Sequence, residues 1–167
     1  MKAGIKALGA NGGWRRAVRA EDALRIFFDG SCEPINPGGT AGFGAVIFES
    51  RKLLWQTSGA LDPRDGPTSN NVAEYAALIA ALEYLLTKRW QNRRIEIRGD
   101  SKLVIQQCRG EWEVKSGRYA PYAHRAQELL KQFPNVTFQW VPRAENQVAD
   151  ELSMVELTKR GIARRVR

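Results

Sequence analysis

Four acids stand at positions where an isolated carboxylate is awkward: Asp29, Glu74, Asp100 and Asp150. Asp29 follows the apolar run Ile26, Phe27, Phe28 and precedes Gly30 and Ser31. Asp100 follows a second strand-like run, "RRIEIRG", and again precedes a serine. In open α/β sheets the carboxyl ends of parallel strands converge on one crevice, where ligands bind. If these two strands are parallel neighbours, the two acids lie side by side. Like charges held together repel unless a cation is shared between them. Each acid also has a plain structural role: Asp29 as a turn residue, Asp100 as a helix N-cap. Glu74, three residues after Asn71, fits a capping box. At about 100° per residue, however, Glu74 lies about 40° from Leu78 and about 20° from Leu85, on the shoulder of a buried stripe. Asp150 opens a last helix beside Ala149 and Leu152. Together the four supply hard oxygen donors for divalent cations such as Mg²⁺. No cluster of His or Cys offers a softer site. The one histidine, His124, sits among polar neighbours in a helix, so nucleophilic schemes that need an imidazole are poorly supported.

The elements that must carry these acids read as follows. "LRIFF", "GFGAVIFES" and "KLLWQTSGALD" are strands, the last two joined by a turn at Ser50–Arg51 into an antiparallel hairpin. A helix over 71–88 has one apolar stripe of Tyr75, Leu78, Ile79, Leu82, Leu85 and Leu86. A strand ending near Arg98 follows, then a short helix "SKLVIQQC" stopped by Gly110. Next come a helix "PYAHRAQELLKQF", a strand "VTFQWV" and a helix "ENQVADELSMVEL". The order β-β-β-α-β-α-α-β-α implies a mixed α/β sheet with packed helices.

The chain has 167 residues and a net charge of +8. Ten of its 26 basic residues fall in residues 1–20 and 159–167, which contain no acid. Sixteen bases and all 18 acids remain between them, so the basicity belongs to the ends. Residues 1–22 read as a basic flexible arm, 23–158 as the catalytic domain and 159–167 as a basic tail. Such arms are either solvated or add salt-dependent affinity for phosphate backbones. Apolar runs are too short for a membrane span. Two cysteines are too few for a disulfide framework and suit a reducing, cytoplasmic compartment. We expect a monomer without membrane association.

Four segments, "FFDGSCEPINPGGTAGFGAVI", "TSNNVAEYAALIAAL", "IRGDSKLVIQQ" and "VPRAENQVADELS", resemble in order the active-site segments of type 1 ribonuclease H. The resemblance covers about residues 24–157. It implies a ribonuclease H-like five-stranded mixed sheet of order 3-2-1-4-5, strand 2 antiparallel, with helices on both faces. It also implies endonucleolytic hydrolysis of the RNA strand of RNA–DNA hybrids, leaving 3′-hydroxyl and 5′-phosphate ends. Asp29, Glu74, Asp100 and Asp150 match the family's catalytic metal ligands, which the resemblance implies hold two Mg²⁺ ions when substrate is bound, with Mn²⁺ as a substitute. Gly30, Ser31, Cys32 and Asn36 match contacts to the RNA strand, and Asn70 and Asn71 match backbone contacts before the first helix. Ser69 and Thr68, at the same helix terminus, are expected to help hold a phosphate of the DNA strand. Two features depart from many members. The loop "PRAEN" has no histidine, leaving Arg143 or Glu145 as substitutes and Asn146 to orient the site. The basic protrusion shrinks to "GEWEVKSGRYAP", in which Trp112 is expected to pack in preference to stacking on nucleic acid. Compact subtypes lacking both features look closest. Rival readings are a 3′–5′ exonuclease, which usually carries Asp-x-Glu where this chain has Asp29-Gly30-Ser31, an integrase-like enzyme, which ends on Glu, and a silent binding domain, which would lack one acid.

Overall fold

The computed structural model describes residues 22–166. Strand β1 (Leu24–Glu33), β2 (Thr40–Glu49) and β3 (Lys52–Leu61) form an antiparallel meander. Ser50, with φ +52°, makes the expected tight β2–β3 turn. Helix α1 (Asn70–Thr87) leads to β4 (Ile95–Gly99), which pairs parallel with β1. Helices α2 (Lys102–Cys108) and α3 (Ala120–Leu130) precede β5 (Val136–Trp140), parallel to β4. A 3₁₀ turn at Arg143–Glu145 and helix α4 (Gln147–Lys159) complete the fold. The sheet order is β3-β2-β1-β4-β5, as the resemblance implies.

One difference bears directly on the site. β1 does not stop at Phe28; it pairs with β2 as far as Glu33↔Thr40. Asp29 is therefore a mid-strand residue opposite Gly44, and the turn reading of Asp-Gly-Ser fails. The parallel ladder with β4, by contrast, ends at Phe27↔Arg98. Asp29 thus stands where β4 has just left the edge of β1, opening the crevice.

Alternation along β1 decides which helix meets which residue. Leu24, Ile26 and Phe28 are buried with Ile95 and Ile97 in the core that also takes Tyr75, Leu78, Leu82 and Leu85 of α1. Gly30 shares their parity, and a Cβ there would lie 2.3 Å from the Glu74 backbone nitrogen. Gly42 and Gly44 meet α4 in the same way: Cβ atoms would lie 2.1 Å from the Ser153 carbonyl and 2.4 Å from the Leu152 Cβ, respectively. The glycines that weaken strand propensity are what let both helices close on the sheet. Gly30→Ala is expected to cost about 1–3 kcal/mol by overpacking. Chemical denaturation will read this as a lower midpoint. Gly66→Ala, which meets nothing within 4 Å, should stay close to the parent protein.

A buried polar chain fixes α1 against α2 and α3. The Tyr75 hydroxyl donates to Gln107 Oε1 at 2.6 Å, and Gln107 Nε2 donates to Tyr119 Oη and to the Glu113 carbonyl, both at 3.1 Å. Trp112 is 48% exposed, so the expectation that it packs is wrong: the remnant loop folds on Gln107 and leaves the indole outside.

Candidate metal centre

The first turn of α1 is set by Ser69, whose hydroxyl accepts from the Val72 amide at 3.1 Å. Asn71 is consequently inside the helix, and the capping-box role for Glu74 lapses. Glu74 instead points into the crevice. Ser101 likewise caps α2, accepting from Val104 N at 3.3 Å, so Asp100 is released from capping. One carboxylate oxygen from each of Asp29, Glu74 and Asp100 lies within 4.8 Å of the others. Asp29 and Glu74 are buried, and Glu74 Oε2 has no hydrogen-bond partner. Burial of such an acceptor is costly unless something fills it.

The electrostatics follow from this crowding. Burial, then repulsion by Asp100 and Glu74, pushes the Asp29 carboxyl up to about 9. Burial pushes Glu74 up to about 8, opposed by a hydrogen bond from Ser101 and aided by Asp100. Asp150 behaves oppositely. Burial would raise it, but hydrogen bonds from Arg164 and Asp29 and the charges of Arg164 and Arg143 hold it below the usual carboxylate range. Without cations, native Asp29 and Glu74 keep protons that the unfolded chain releases above its ordinary values of 3.8 and 4.5. Stability must therefore fall as pH rises from about 4 to about 9. Thermal unfolding in EDTA is expected to show Tm lower by roughly 5 °C at pH 9 than at pH 5.5. Added Mg²⁺ should recover most of that loss at pH 9 and little at pH 5.5.

Eight residues expected at the site line one pocket: Asp29, Gly30, Ser31, Asn70, Glu74, Asp100, Arg143 and Asp150. Asp150 belongs to the pocket but not to the three-acid cluster; its Oδ1 is 2.9 Å and its Oδ2 3.1 Å from Arg164 Nη1. Arg143 adds a 3.3 Å contact to Oδ1. Asn146 is buried behind the acids. Its Nδ2 donates to the Phe28 carbonyl at 2.9 Å and to Asp100 Oδ1 at 3.1 Å, tying β1 and the end of β4 to the start of α4. Asn36 and Asn70 clasp each other, Asn36 Nδ2 to Asn70 Oδ1 at 2.9 Å and Asn70 N to Asn36 Oδ1 at 3.1 Å.

Other expected contacts fall elsewhere. Cys32 is buried with its thiol on the Ile35 carbonyl at 3.2 Å, away from the pocket. Thr68 is buried and donates to the Gly39 carbonyl at 2.7 Å, which turns its hydroxyl from any phosphate. Asn71 does not line the pocket. His124 is exposed on α3, as its neighbours suggest.

Sequence reasoning missed Glu33 and Arg164, which also line the pocket. Glu33 is 1% exposed and accepts from Arg165 Nε at 2.7 Å. The signal lay in Gly161, with φ +73°. Its amide bonds to the Thr158 carbonyl, and that of Ile162 to Leu157, the double bond of a Schellman turn. That turn sends the tail back along α4. The basic arm expected over residues 1–22 lies, as far as residue 21, outside the described residues.

Antiparallel meander, parallel crossover and convergent carboxylates define a ribonuclease H-like α/β domain with a metal-type acidic centre. A profile of the family described as "Reverse transcriptase-like" matches residues 27–155. The RNase H1 of Halobacterium salinarum has a crystal structure 35% identical to this chain, covering 82% of this chain and 98% of that one, with a TM-score of 0.71. LC11-RNase H1, solved in complex with RNA/DNA hybrid, is 35% identical over 77% of this chain and 92% of its own, with a TM-score of 0.68. The chain belongs to the type 1 ribonuclease H family. The bifunctional protein Rv2228c of Mycobacterium tuberculosis is 38% identical over 120 residues, 71% of this chain. This chain spans only 31% of that relative's length.

Proposed function

We propose that this chain is an endoribonuclease that hydrolyses the RNA strand of RNA–DNA hybrids, leaving 3′-hydroxyl and 5′-phosphate ends. The observation that carries the reading is the triad of buried Asp29 and Glu74 with half-buried Asp100, one oxygen of each within 4.8 Å of the others, with Glu74 Oε2 unpartnered. An all-oxygen, anionic donor set fits Mg²⁺, with Mn²⁺ as a substitute, and Asp150 extends it to a second ion. Divalent cations there supply activation of water and neutralisation of charge on the departing 3′-oxygen.

The chain's own groups do the rest. Asn146 fixes Asp100 against the Phe28 carbonyl, so the acids are held before substrate arrives. The clasped Asn36 and Asn70 brace the loop after β1 at the pocket's edge, where Gly30 and Ser31 can meet a ribose. Gly30 and Ser31 line the pocket beside the acids. Ser31 Oγ, which donates to the Ser153 carbonyl at 3.3 Å, keeps a lone pair to accept from a 2′-hydroxyl, the group that separates RNA from DNA. Ser69, at the terminus of α1, suits a phosphate of the other strand. Arg143 lines the pocket and is our candidate for the role of the loop histidine. The hybrid bound by LC11-RNase H1 supports this substrate class.

The reading includes a cytoplasmic monomer; Cys32 and Cys108 are free, and no described helix is long and apolar enough to cross a membrane. Incubation with end-labelled hybrid, duplex RNA and duplex DNA, with Mg²⁺ and with EDTA, tests it. RNA-strand nicks inside the hybrid alone, only with Mg²⁺, are expected. Equal cleavage of duplex DNA overturns it.

A further inference from the structure

Arg164 meets Asp150 with three contacts: Nη1 to Oδ1 at 2.9 Å, Nη1 to Oδ2 at 3.1 Å and Nη2 to the Asp150 carbonyl at 3.4 Å. The neighbouring Arg165 is anchored to a different buried acid, Glu33, and to the Cys32 carbonyl at 3.1 Å. The return path is sterically easy. From Arg160 back to Asp150 the helix measures about 15 Å, and the three residues from Ile162 to Arg164 cover about 10 Å of it before the arginine side chain adds its own length. Charge-assisted contacts of this kind to a partly buried carboxylate are the stronger class of ion pair. Both carboxylate oxygens of Asp150 are thereby occupied by a fixed positive charge, while the other three acids form no ion pair among the described residues.

We propose that Arg164 is an internal counter-cation for Asp150: it positions this carboxylate beside Asp29, and it must let go before a divalent ion can be shared between Asp29 and Asp150. The inference rests on the metal-centre reading above. It divides the four acids into two unequal halves. Asp29, Glu74 and Asp100 are available at once, whereas Asp150 becomes a ligand only at the expense of the tail contact. The second ion is therefore weaker than the first, and its binding is linked to release of the Arg164 side chain from Asp150. Linkage is reciprocal, so whatever detaches the tail tightens the second ion by the same factor. Arg165 on Glu33 supplies the restoring anchor, because it keeps the tail close when Arg164 is displaced.

The test uses the full chain and Mn²⁺ alone. Free Mn²⁺ is followed by electron paramagnetic resonance during titration of the parent protein and of Arg164→Gln. The variant should bind the second Mn²⁺ about fivefold more tightly, with the first ion unchanged. In the parent protein, Mn²⁺ at concentrations that fill the second site should speed tryptic cleavage after Arg164, scored by mass spectrometry. This measurement needs no variant to fold. Equal second-ion affinity in the two proteins, or a cleavage rate indifferent to Mn²⁺, overturns the proposal. One tight ion in both proteins and no second in either also overturns it, while leaving the three-acid centre standing. Absence of any Mn²⁺ binding removes the metal centre itself and the proposal with it.

Discussion

Asp100→Asn is expected to reduce hybrid cleavage by at least roughly 10³-fold while leaving hybrid affinity within a few-fold of the parent value. The substitution keeps the side chain's shape. Its Oδ1 can still accept from Asn146 Nδ2, and the Trp140 indole can still donate to the residue 100 carbonyl at 3.0 Å. What disappears is one negative charge from the three-acid cluster. Repulsion by Asp100 is among the causes that raise both Asp29 and Glu74, so the same variant relieves the metal-free protein. At pH 8 in EDTA, Asp100→Asn should melt higher than the parent protein. A fall in activity joined to a rise in Tm separates a metal-binding role from a structural one, which would lower both. Single-turnover cleavage, gel-shift affinity and calorimetry on one preparation decide it; retained turnover removes Asp100 from the chemistry.

Asn146→Ala should reduce kcat by about 100-fold with little change in KM, since it loosens the acids without touching the nucleic acid. The side chain donates to two acceptors, the Phe28 carbonyl and Asp100 Oδ1, and both would be left buried without it. We expect about 1–3 kcal/mol of lost stability as well. Asn146→Gln, which keeps the amide but shifts it by one methylene, should not restore the rate. A variant that retains kcat but loses KM would reassign Asn146 to substrate binding.

The fold was legible because its signals are local and repeated. The α1 stripe placed Tyr75, Leu78, Leu82 and Leu85 in the core, and Ser50–Arg51 marked the hairpin turn. The four acids were legible for a different reason: each breaks its local pattern, as Asp29 does after Phe27 and Phe28. Boundaries near glycine were not. Gly30 read as part of a turn although it sits inside β1, and that Gly30, Gly42 and Gly44 are each points of helix contact is a property that only tertiary packing reveals. Capping was misplaced by two residues at α1 because Asn71 and Ser69 are equally good N-cap types. The tail was the largest omission. A run of arginines looks the same whether it is solvated or returns to a carboxylate 14 positions upstream, and only Gly161 hinted at the return.

The central parallel pair joins Leu24 to Ile95, about 70 positions later in the chain, and α4 must then close over the strand from still further away. Contacts of such long sequence separation form slowly, because loop closure precedes their reward. A nascent polypeptide emerging from the ribosome in N-to-C order therefore displays the hairpin and α1 well before it owns a complete centre. Until the stretch around Asp150 has been synthesised and docked, the growing chain lacks the fourth acid of the proposed centre and the arginine that pairs with it.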